Sequence, residues 1–287
     1  MNVLGFGALI RSEVAAWRAV QSLLCGKGRR PRCPACTAGQ PYRLAEGRYR
    51  CRRCRHTFGL LTGRWLAHCR VSLQTWLWLI KLFELEVTAL RAARQTGLSY
   101  PTAWRAFTVI RRALVTQEEP ALLTREVEVD ESYFGPIRSK RARGGPTGRG
   151  TRAKIPVFGV LERGGQVAVE VIRDASARSL LDSTVKLVKR GSIVYSDRWK
   201  GYDTLTFCGY QHLRVDHGRR FTRGRVHING LEGFWSYAKG KLIRHRRVTA
   251  RYFPLYLYEM QFRYNHRQVE LFPILLRMLL QPVPNPL

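Results

Sequence analysis

Two C-x-x-C pairs constrain this chain more tightly than any other feature of its sequence. Cys33 and Cys36 form the first pair, and Cys51 and Cys54 form the second after 14 intervening residues. Two such pairs supply four thiolates in a tetrahedron, which suits a structural Zn²⁺ ion. A redox pair or a chance spacing would give the same letters, but the hairpin-like sequence YRLAEGRYR between the pairs favours a zinc ribbon. All four ligand positions would then belong to the protein, which leaves no open position for catalysis at this metal.

The charge of the chain predicts a polyanionic partner. Fifty Lys and Arg against 20 Asp and Glu give a formal net charge of +30, and 45% hydrophobic residues are enough to bury a core. Solubility needs a net charge of only about 2–8, so a cation of this size indicates binding to the phosphates of nucleic acid. The sequence has no apolar run of the length that a bilayer requires and no basic leader. We therefore expect an intracellular protein without a membrane segment.

A helix pair with a tight turn follows the cysteines. Residues 87–114, VTALRAARQTGLSYPTAWRAFTVIRRAL, fit two helices joined at Thr96-Gly97-Leu98. In a helix-turn-helix the second helix enters the major groove of DNA, whereas in an ordinary αα-hairpin its arginines only face solvent. The charge of the chain favours DNA binding. The residues that we predict to contact DNA from the second helix are Tyr100, Thr102, Arg105, Arg111 and Arg112.

Two further basic segments are candidates for contact with DNA. Residues 138–154, RSKRARGGPTGRGTRAK, contain seven basic residues and no acidic ones, as expected for a loop that a polyanion orders. The later segment VDHGRRFTRGRVHIN carries His217 and His227, which could belong to a solvated loop or contact DNA. Within the first segment, the predicted DNA contacts are Lys140, Arg141 and Arg143.

Acidic residues are scarce, so their positions are informative. VEVDESYFG places Glu128, Asp130 and Glu131 on or just past one predicted strand, and SIVYSDRW places Asp197 at the end of another. A carboxylate inside an apolar strand is costly unless it is paired or binds a metal. Two carboxylates that share Mg²⁺ or Mn²⁺ avoid the mutual repulsion that would raise each other's pKa. Each could instead be a turn residue or the partner of a lysine.

The stretch HINGLEGFWSYAKGK, residues 227–241, predicts the start of a helix and leaves two interpretations open. Asn229 could cap the helix while Glu232 reaches back from the third helical position, which is a capping box. Alternatively, Glu232 binds a catalytic metal and Asn229 is an adjoining ligand, since a carboxylate binds Mg²⁺ more strongly than an amide. Residues 229, 232, 236 and 239 share one helix face, so Lys239 could hold a phosphate near that metal.

Four sequence blocks together resemble a known family. VEVDESYFG, VYSDRWKGY, HINGLEGFWSYAKGKL and FRYNHR occur here in the order typical of the DDE transposases of bacterial insertion sequences, in the Merlin-like (ISXO-like) group. That group also carries an N-terminal zinc ribbon and a helix-turn-helix. The resemblance implies an RNase H-like fold with Asp130 as the first acid and Asp197 as the second. Its members have Glu or Asn at the third position, and here the 34 residues after Asp197 and the seven-residue step to Lys239 favour Glu232.

The resemblance implies a transposase that binds insertion-sequence ends and catalyses DNA cleavage and strand transfer with Mg²⁺ or Mn²⁺. It further implies a homodimer or larger assembly on DNA, in the bacterial cytoplasm at the nucleoid. A non-catalytic DNA-binding regulator and an RNase H-like nuclease or resolvase remain alternatives. The expected α/β organisation is a helical segment at 1–28, a zinc ribbon at 29–60, a helix-turn-helix region at 70–118, an RNase H-like catalytic domain at 124–270 and a tail at 271–287.

Overall fold

The computed structural model describes residues 5–7, 10–117, 122–135, 154–197, 200–214, 228–245 and 248–284. The chain forms two compact units. Met1–Gln117 and Gln268–Leu287 belong to the first unit, and Glu118–Arg267 belong to the second. None of the helices in the described ranges is long and apolar enough to cross a bilayer.

The secondary structure changes from mainly helical to mixed along the chain. The helices are α1 Glu13–Cys25, α2 Leu73–Glu84, α3 Ala89–Thr96, α4 Tyr100–Gln117, α5 Ala177–Leu187, α6 Asn229–Ile243, α7 Phe253–Asn265 and α8 Leu271–Leu279. The strands are β1 Tyr42–Arg43, β2 Tyr49–Arg50, β3 Thr57–Phe58, β4 Glu126–Phe134, β5 Ile155–Glu162, β6 Val167–Val171, β7 Ile193–Ser196 and β8 Gln211–Arg214. Short 3₁₀ helices cover Trp65–His68 and Lys200–Cys208.

The first unit is a helical core with a small three-stranded sheet, in the order β1-β2-β3. Helix α2 is buried along most of its length because its apolar side chains occupy more than one face. Its first turn is capped by Glu13, whose two carboxylate oxygens accept the backbone N–H groups of Leu73 and Gln74, both at 2.8 Å. The negative charge also suits the positive end of the helix dipole. Ser72 caps α2 locally by accepting the N–H of Thr75, and the acid on α1 adds to that cap.

The segment that the sequence analysis assigns to a C-terminal tail contains helix α8. Its apolar residues recur at helical spacing, and Leu271, Phe272, Leu275, Leu276 and Leu279 are buried. Pro273 lies in the first turn, where proline is tolerated because the N–H groups have no intrahelical acceptor. Glu84 accepts the backbone N–H of Phe272 at 2.8 Å, which caps the helix. The assignment of 271–287 to a tail is thus corrected, because the later prolines obscured a helical apolar stripe.

The predicted helix pair is present as α3 and α4. Gly97 ends α3 in the left-handed conformation, with φ of 69°, and its N–H bonds the carbonyl of Ala93. Glycine adopts this conformation without the steric cost that a Cβ brings. The turn between the two helices is therefore only the three residues 97–99.

The second unit is built on a five-stranded mixed sheet, in the order β6-β5-β4-β7-β8. Strand β4 pairs antiparallel with β5 and parallel with β7, β5 pairs antiparallel with β6, and β7 pairs parallel with β8. Numbered within this unit, the order is 3-2-1-4-5 with the second strand reversed, which is the RNase H-like arrangement. The predicted α/β fold is confirmed.

Both faces of this sheet are covered. Side chains of α5 and of Tyr202 pack against one face, and side chains of α6 and α7 pack against the other. The edge strand β6 is also protected, because Asn265 of α7 bonds both the N–H and the carbonyl of Val167, at 2.8 and 2.9 Å. Gln261, one turn earlier, accepts the N–H of Val169 at 2.9 Å. These amides take the place of a neighbouring strand at an otherwise open edge.

Candidate metal centre and candidate catalytic site

The four predicted zinc ligands form one cluster. The Sγ atoms of Cys33, Cys36, Cys51 and Cys54 all lie within 4.8 Å of one another. Cys33 and Cys54 are 3.5 Å apart at Sγ, as are Cys36 and Cys51. Four sulfurs around one Zn²⁺, each at about 2.3 Å, would be separated by about 3.8 Å. The donor set and its spacing therefore fit one tetrahedral ion.

The two cysteine turns repeat one backbone design. In the first turn the N–H of Cys33 bonds the carbonyl of Ala38, and the N–H of Thr37 bonds that of Cys33. In the second turn Cys51 bonds His56, and Arg55 bonds Cys51, at the same offsets. Thr37 and Arg55 both have positive φ, of 58° and 62°. Because each turn folds back on its first cysteine, both cysteines of a pair point to the same centre.

One thiol of the cluster already favours the form that a metal needs. The backbone N–H of Cys54 points at the Cys51 sulfur, 3.5 Å away. This hydrogen bond is the main cause that lowers the pKa of Cys51 to about 6. A thiolate is the ligating form of cysteine, so the turn geometry assists metal binding.

The two predicted catalytic aspartates are neighbours on adjacent strands. Asp130 lies on β4, and Asp197 follows the last residue of β7. Strands β4 and β7 are parallel, with Glu128 opposite Tyr195. Continuing this register by two residues places Asp130 opposite Asp197 on the same face of the sheet, because side chains alternate along a strand. That face is the one covered by α6.

The electrostatics of Asp130 are those of a carboxylate held near other acids. Burial, the negative charge of Glu131 and the charge of Asp197 raise the pKa of Asp130 to about 7, while a hydrogen bond from Trp235 opposes the rise. Burial also raises the pKa of Glu131, and the charge of Asp197 adds to it. Crowded acids of this kind are stabilised in their ionised form by a cation.

Glu131 lies on the opposite face of β4 from Asp130. Its carboxylate accepts a hydrogen bond from the hydroxyl of Tyr202 at 2.8 Å, and Tyr202 is completely buried. Tyr202 belongs to the 3₁₀ helix that follows Asp197 in the chain. This bond ties the segment after β7 to the central strand. Sequence reasoning recorded Glu131 but did not find its partner, since Tyr202 is 71 residues away.

The start of helix α6 differs from the predicted capping box. The helix begins at Asn229, its N-cap is Ile228, and the cap makes no side-chain hydrogen bond. Glu128 supplies the missing acceptor from β4, because its Oε2 accepts the backbone N–H of Leu231 at 3.0 Å. The capping role proposed for Asn229 and Glu232 is therefore wrong. The sequence could not reveal the real cap, which comes from another strand.

Helix α6 presents the predicted functional face to solvent. Asn229, Glu232, Ser236 and Lys239 are exposed, whereas Leu231, Phe234, Trp235 and Ala238 are buried. Lys239 lies over the ring of Phe134, the last residue of β4, at 5.6 Å. Within the described parts of the chain, the cysteine cluster is the one group of three or more His, Cys, Asp or Glu whose ligand atoms lie within 4.8 Å. The carboxylates of Asp130, Asp197 and Glu232 are not drawn together that closely.

The predicted DNA-binding residues separate into three groups. Tyr100 and Arg105 are exposed, and Thr102 and Arg112 are partly exposed. Arg111 is only 2% exposed and its guanidinium lies over the ring of Phe83 at 5.3 Å, so its assignment as a DNA contact is wrong. It follows Phe107 by four residues and therefore falls on the buried stripe of α4. Lys140, Arg141, Arg143, His217 and His227 lie outside the described residues.

Comparisons with known sequences point to one family. Residues 122–265, which contain β4 to α7, match the ISXO2-like transposase domain. An uncharacterized protein in transposable element ISH50 of Halobacterium salinarum is 30% identical over 255 residues, covering 80% of this chain and 84% of that protein. An uncharacterized transposase-like protein of Haemophilus influenzae is 31% identical over 105 residues, covering 37% of this chain and 85% of that protein.

The similarity to solved structures is weak. A pre-cleavage Mos1 transpososome has a TM-score of 0.32 and 15% identity, covering 71% of this chain and 76% of that one. The simian T-cell lymphotropic virus intasome with PP2A regulatory subunit B56 gamma has a TM-score of 0.35 and 11% identity, covering 67% and 69%. The fold assignment rests on strand order and direction rather than on these scores.

The RNase H-like sheet and the match to the transposase domain together place the chain in the class of DDE transposases. The chain belongs to the ISXO2-like transposase family. The resemblance drawn from the four sequence blocks is thereby confirmed.

Proposed function

We propose that this transposase binds the ends of its insertion sequence and uses Asp130, Asp197 and Glu232 to cut and join DNA. The observation that carries the catalytic assignment is the parallel register of β4 and β7, which sets Asp130 beside Asp197. Without a cation, burial and the neighbouring negative charges raise the pKa of Asp130 to about 7. A pair of carboxylates is a suitable ligand set for Mg²⁺ or Mn²⁺.

The ligand atoms of Asp130 and Asp197 suit a divalent ion. Both aspartates supply hard oxygen ligands, and the register of the two parallel strands places them side by side. Bound divalent ions would lower the pKa of a bound water, which makes that water a better nucleophile. They would also stabilise the leaving oxygen of a phosphodiester. Asp130 and Asp197 would hold such ions and thereby set the position of the scissile phosphate. Water attack on that phosphate breaks its bond to the 3′-oxygen, which frees a 3′-hydroxyl at the transposon end and leaves the phosphate on the 5′ end of the flanking strand. This 3′-hydroxyl then attacks a phosphodiester of the target DNA and displaces the 3′-hydroxyl of the target strand.

Helix α6 supplies the third ligand. Trp235 contacts Asp130, so its direction on the helix marks the direction of the aspartate. At about 100° per residue, Glu232 lies about 60° from Trp235 around the helix axis and Asn229 lies about 120° away. Glu232 is exposed and has a longer side chain than Asn229. These relations support Glu232 as the ligand, with Asn229 as an adjoining one.

Lys239 is assigned to a DNA phosphate beside the metal. It is exposed and lies about two helical turns after Glu232 on a similar face. Its ammonium group lies over Phe134, at the end of β4 beyond Asp130. A cation there would hold the phosphate of the transposon end without occupying a carboxylate.

The first unit provides the DNA-binding surfaces. Tyr100, Arg105 and the partly exposed Thr102 and Arg112 lie on α4, and we assign them to the transposon end. The cysteine cluster would hold a structural Zn²⁺ that keeps the three-stranded sheet folded. Exposed arginines of that sheet, including Arg50 and Arg52, would bind phosphates. Because two ends must be held together for joining, we expect a homodimer or a larger assembly on DNA.

A labelled insertion-sequence end tests this function. Purified protein with Mg²⁺ should cut at the end of the element and, with target DNA added, should give joined products. Asp130→Asn and Asp197→Asn variants should still fold and bind the end but should lose both reactions. Binding without cleavage by the wild-type protein would indicate the regulator, and cleavage without joining would indicate the nuclease or resolvase.

A comparison of two α6 variants decides the third ligand. Glu232→Gln should lose Mn²⁺-supported cleavage, whereas Asn229→Ala should keep a measurable part of it. Strong activity in Glu232→Gln together with loss in Asn229→Ala would reverse the assignment. Both residues are exposed, so neither change should affect folding.

A further inference from the structure

A buried indole contacts the first catalytic aspartate. The Nε1–H of Trp235 donates a hydrogen bond to Oδ2 of Asp130 at 3.0 Å, and Trp235 is 5% exposed. Buried indoles elsewhere in the described residues do not find such a partner, since the Nε1 atoms of Trp65 and Trp76 have no acceptor. The bond to Asp130 is therefore not a general consequence of burying tryptophan in this protein.

A glycine on the neighbouring strand makes this contact possible. Gly159 of β5 lies directly opposite Asp130 in the β4–β5 ladder. A Cβ on Gly159 would lie 2.5 Å from Cζ2 of Trp235 and 2.7 Å from its Cη2. No side chain can occupy this position while the indole stays where it is. A glycine inside a strand often marks such a close approach.

A second contact sets the position of α6 along β4. Glu128 meets the backbone N–H of Leu231, and Asp130, two residues later, meets Trp235, four residues later. Two strand residues advance by about 6.8 Å and four helix residues by about 6 Å. The distance between the two contacts along β4 therefore matches the distance along α6, and together the contacts fix the indole beside Asp130.

We propose that Trp235 is a positioning residue for Asp130, and that the missing side chain of Gly159 leaves the space that the Trp235 indole occupies. The proposal rests on the proposed metal-dependent function. The indole N–H holds one carboxylate oxygen in a fixed direction and leaves the other for the metal ion. A lysine or arginine in this place would compete with the ion for the negative charge, whereas indole is a neutral group that only donates. Groups that orient a ligand in this way affect metal affinity strongly.

The first test compares two variants of one helix. Trp235→Phe keeps an aromatic ring but removes the N–H. Leu242→Val is the control on the same helix, because Leu242 packs against the same core two helical turns after Trp235. We expect Trp235→Phe to need about tenfold more Mn²⁺ for half-maximal end cleavage, with the Leu242→Val requirement unchanged. An unchanged Mn²⁺ requirement in folded Trp235→Phe would overturn the proposal.

The outcome for the wild-type protein separates this proposal from the proposed function. If the wild-type protein shows no metal-dependent cleavage, the function itself is wrong. If it does, and Trp235→Phe keeps the same metal dependence, only the positioning role is wrong.

A spectroscopic test does not require Trp235→Phe to fold. In protein with ¹⁵N-labelled indoles, Mn²⁺ held by Asp130 should broaden the Trp235 signal selectively among the seven tryptophans. A Trp199→Phe variant identifies the signal of the tryptophan that follows Asp197 closely in sequence. The broadening should vanish in Asp130→Asn. No selective broadening at Mn²⁺ concentrations that support cleavage would overturn the proposal.

Discussion

Glu128 on the central strand accepts the backbone N–H of Leu231 at 3.0 Å, so the sheet caps the helix that carries Glu232. The same carboxylate lies 3.3 Å from Nε of Arg163 and is 1% exposed. A buried carboxylate needs partners of this kind to remain charged. Glu128 thus serves the fold, while Asp130 on the same face of the strand is the proposed metal ligand.

Removing Glu128 should destabilise the second unit. Glu128→Ala should lower the free energy of unfolding by about 3 kcal/mol. The change removes the acceptor of the Arg163 guanidinium and of the Leu231 N–H at the start of α6. Glu126→Ala is the control, since Glu126 also bonds Arg163, at 3.1 Å, but is 35% exposed. We expect about 1 kcal/mol for that change. Equal losses in urea unfolding of the two variants would contradict the capping role.

A methyl group at Gly159 should be poorly tolerated. Gly159→Ala should cost about 1–3 kcal/mol because the added Cβ overlaps the Trp235 ring, and it should reduce end cleavage in the folded fraction. Gly233→Ala on α6 meets no atom within 4 Å and should instead stabilise the protein by up to about 1 kcal/mol. Thermal unfolding of the two variants measures both effects. An unchanged Tm in Gly159→Ala would show that the space beside the Trp235 ring can hold a methyl group.

The pH dependence of stability should report Asp130. Its pKa is raised from 3.8 to about 7, so the folded state holds this proton more tightly than the unfolded state does. The resulting stability is complete below about pH 3.8 and is lost as the pH rises through about 7. Without added Mg²⁺, the Tm should therefore fall over this range more steeply in the wild-type protein than in Asp130→Asn. Superimposable pH profiles would exclude this origin.

Added Mg²⁺ should reverse that loss. The ion binds the ionised carboxylate, so its stabilising effect on the Tm should grow as the pH rises towards and past about 7. Asp130→Asn should show a smaller and flatter effect. A Mg²⁺ effect of the same size at every pH would argue against binding at Asp130.

The cysteine cluster should hold one zinc ion for each chain. Cys36→Ser should lose the metal and unfold the small sheet, which has little core of its own. Cys25→Ser, outside the cluster, should keep it. Atomic absorption measures the metal, and limited proteolysis between β1 and β3 reports the fold. Retention of a full equivalent in Cys36→Ser would contradict the four-ligand site.

Two arginines of α4 should give opposite results. Arg105→Gln should weaken binding to the transposon end with little change in stability. It should also reduce the slope of log affinity against log salt concentration by about one. Arg111→Gln should mainly lower stability, because Arg111 is 2% exposed and lies over Phe83. Binding titrations at several salt concentrations and thermal unfolding separate the two. Loss of DNA affinity in a fully stable Arg111→Gln would restore the original assignment.

Features set by nearby residues were predictable from the sequence. The two cysteine turns depend on spacing and on a backbone fold of five or six residues, and Gly97 marks its turn by its own conformational freedom. The order of the transposase blocks also lies in the sequence, and the family match confirms it. Such features need no knowledge of which distant segments touch.

The tertiary structure decided the rest. Acids from other elements accept first-turn N–H groups of α2, α6 and α8, namely Glu13, Glu128 and Glu84. Helix α2 also has a local cap in Ser72. For α6 the sequence offered a capping box of Asn229 and Glu232 as one of two interpretations, and the acceptor comes instead from another strand. Arg111 and α8 were misjudged for a related reason, since the buried side of a helix depends on what packs against it.

The candidate catalytic site shows the same division. The sequence by itself determined which residues could bind a metal, because acids at the ends of apolar strands are chemically conspicuous. Only the tertiary structure decided that Asp130 and Asp197 are neighbours, through the pairing of β4 with β7, and that Trp235 enters over Gly159. Strand order and helix docking arise from contacts between residues far apart in the chain, and no local pattern records those contacts.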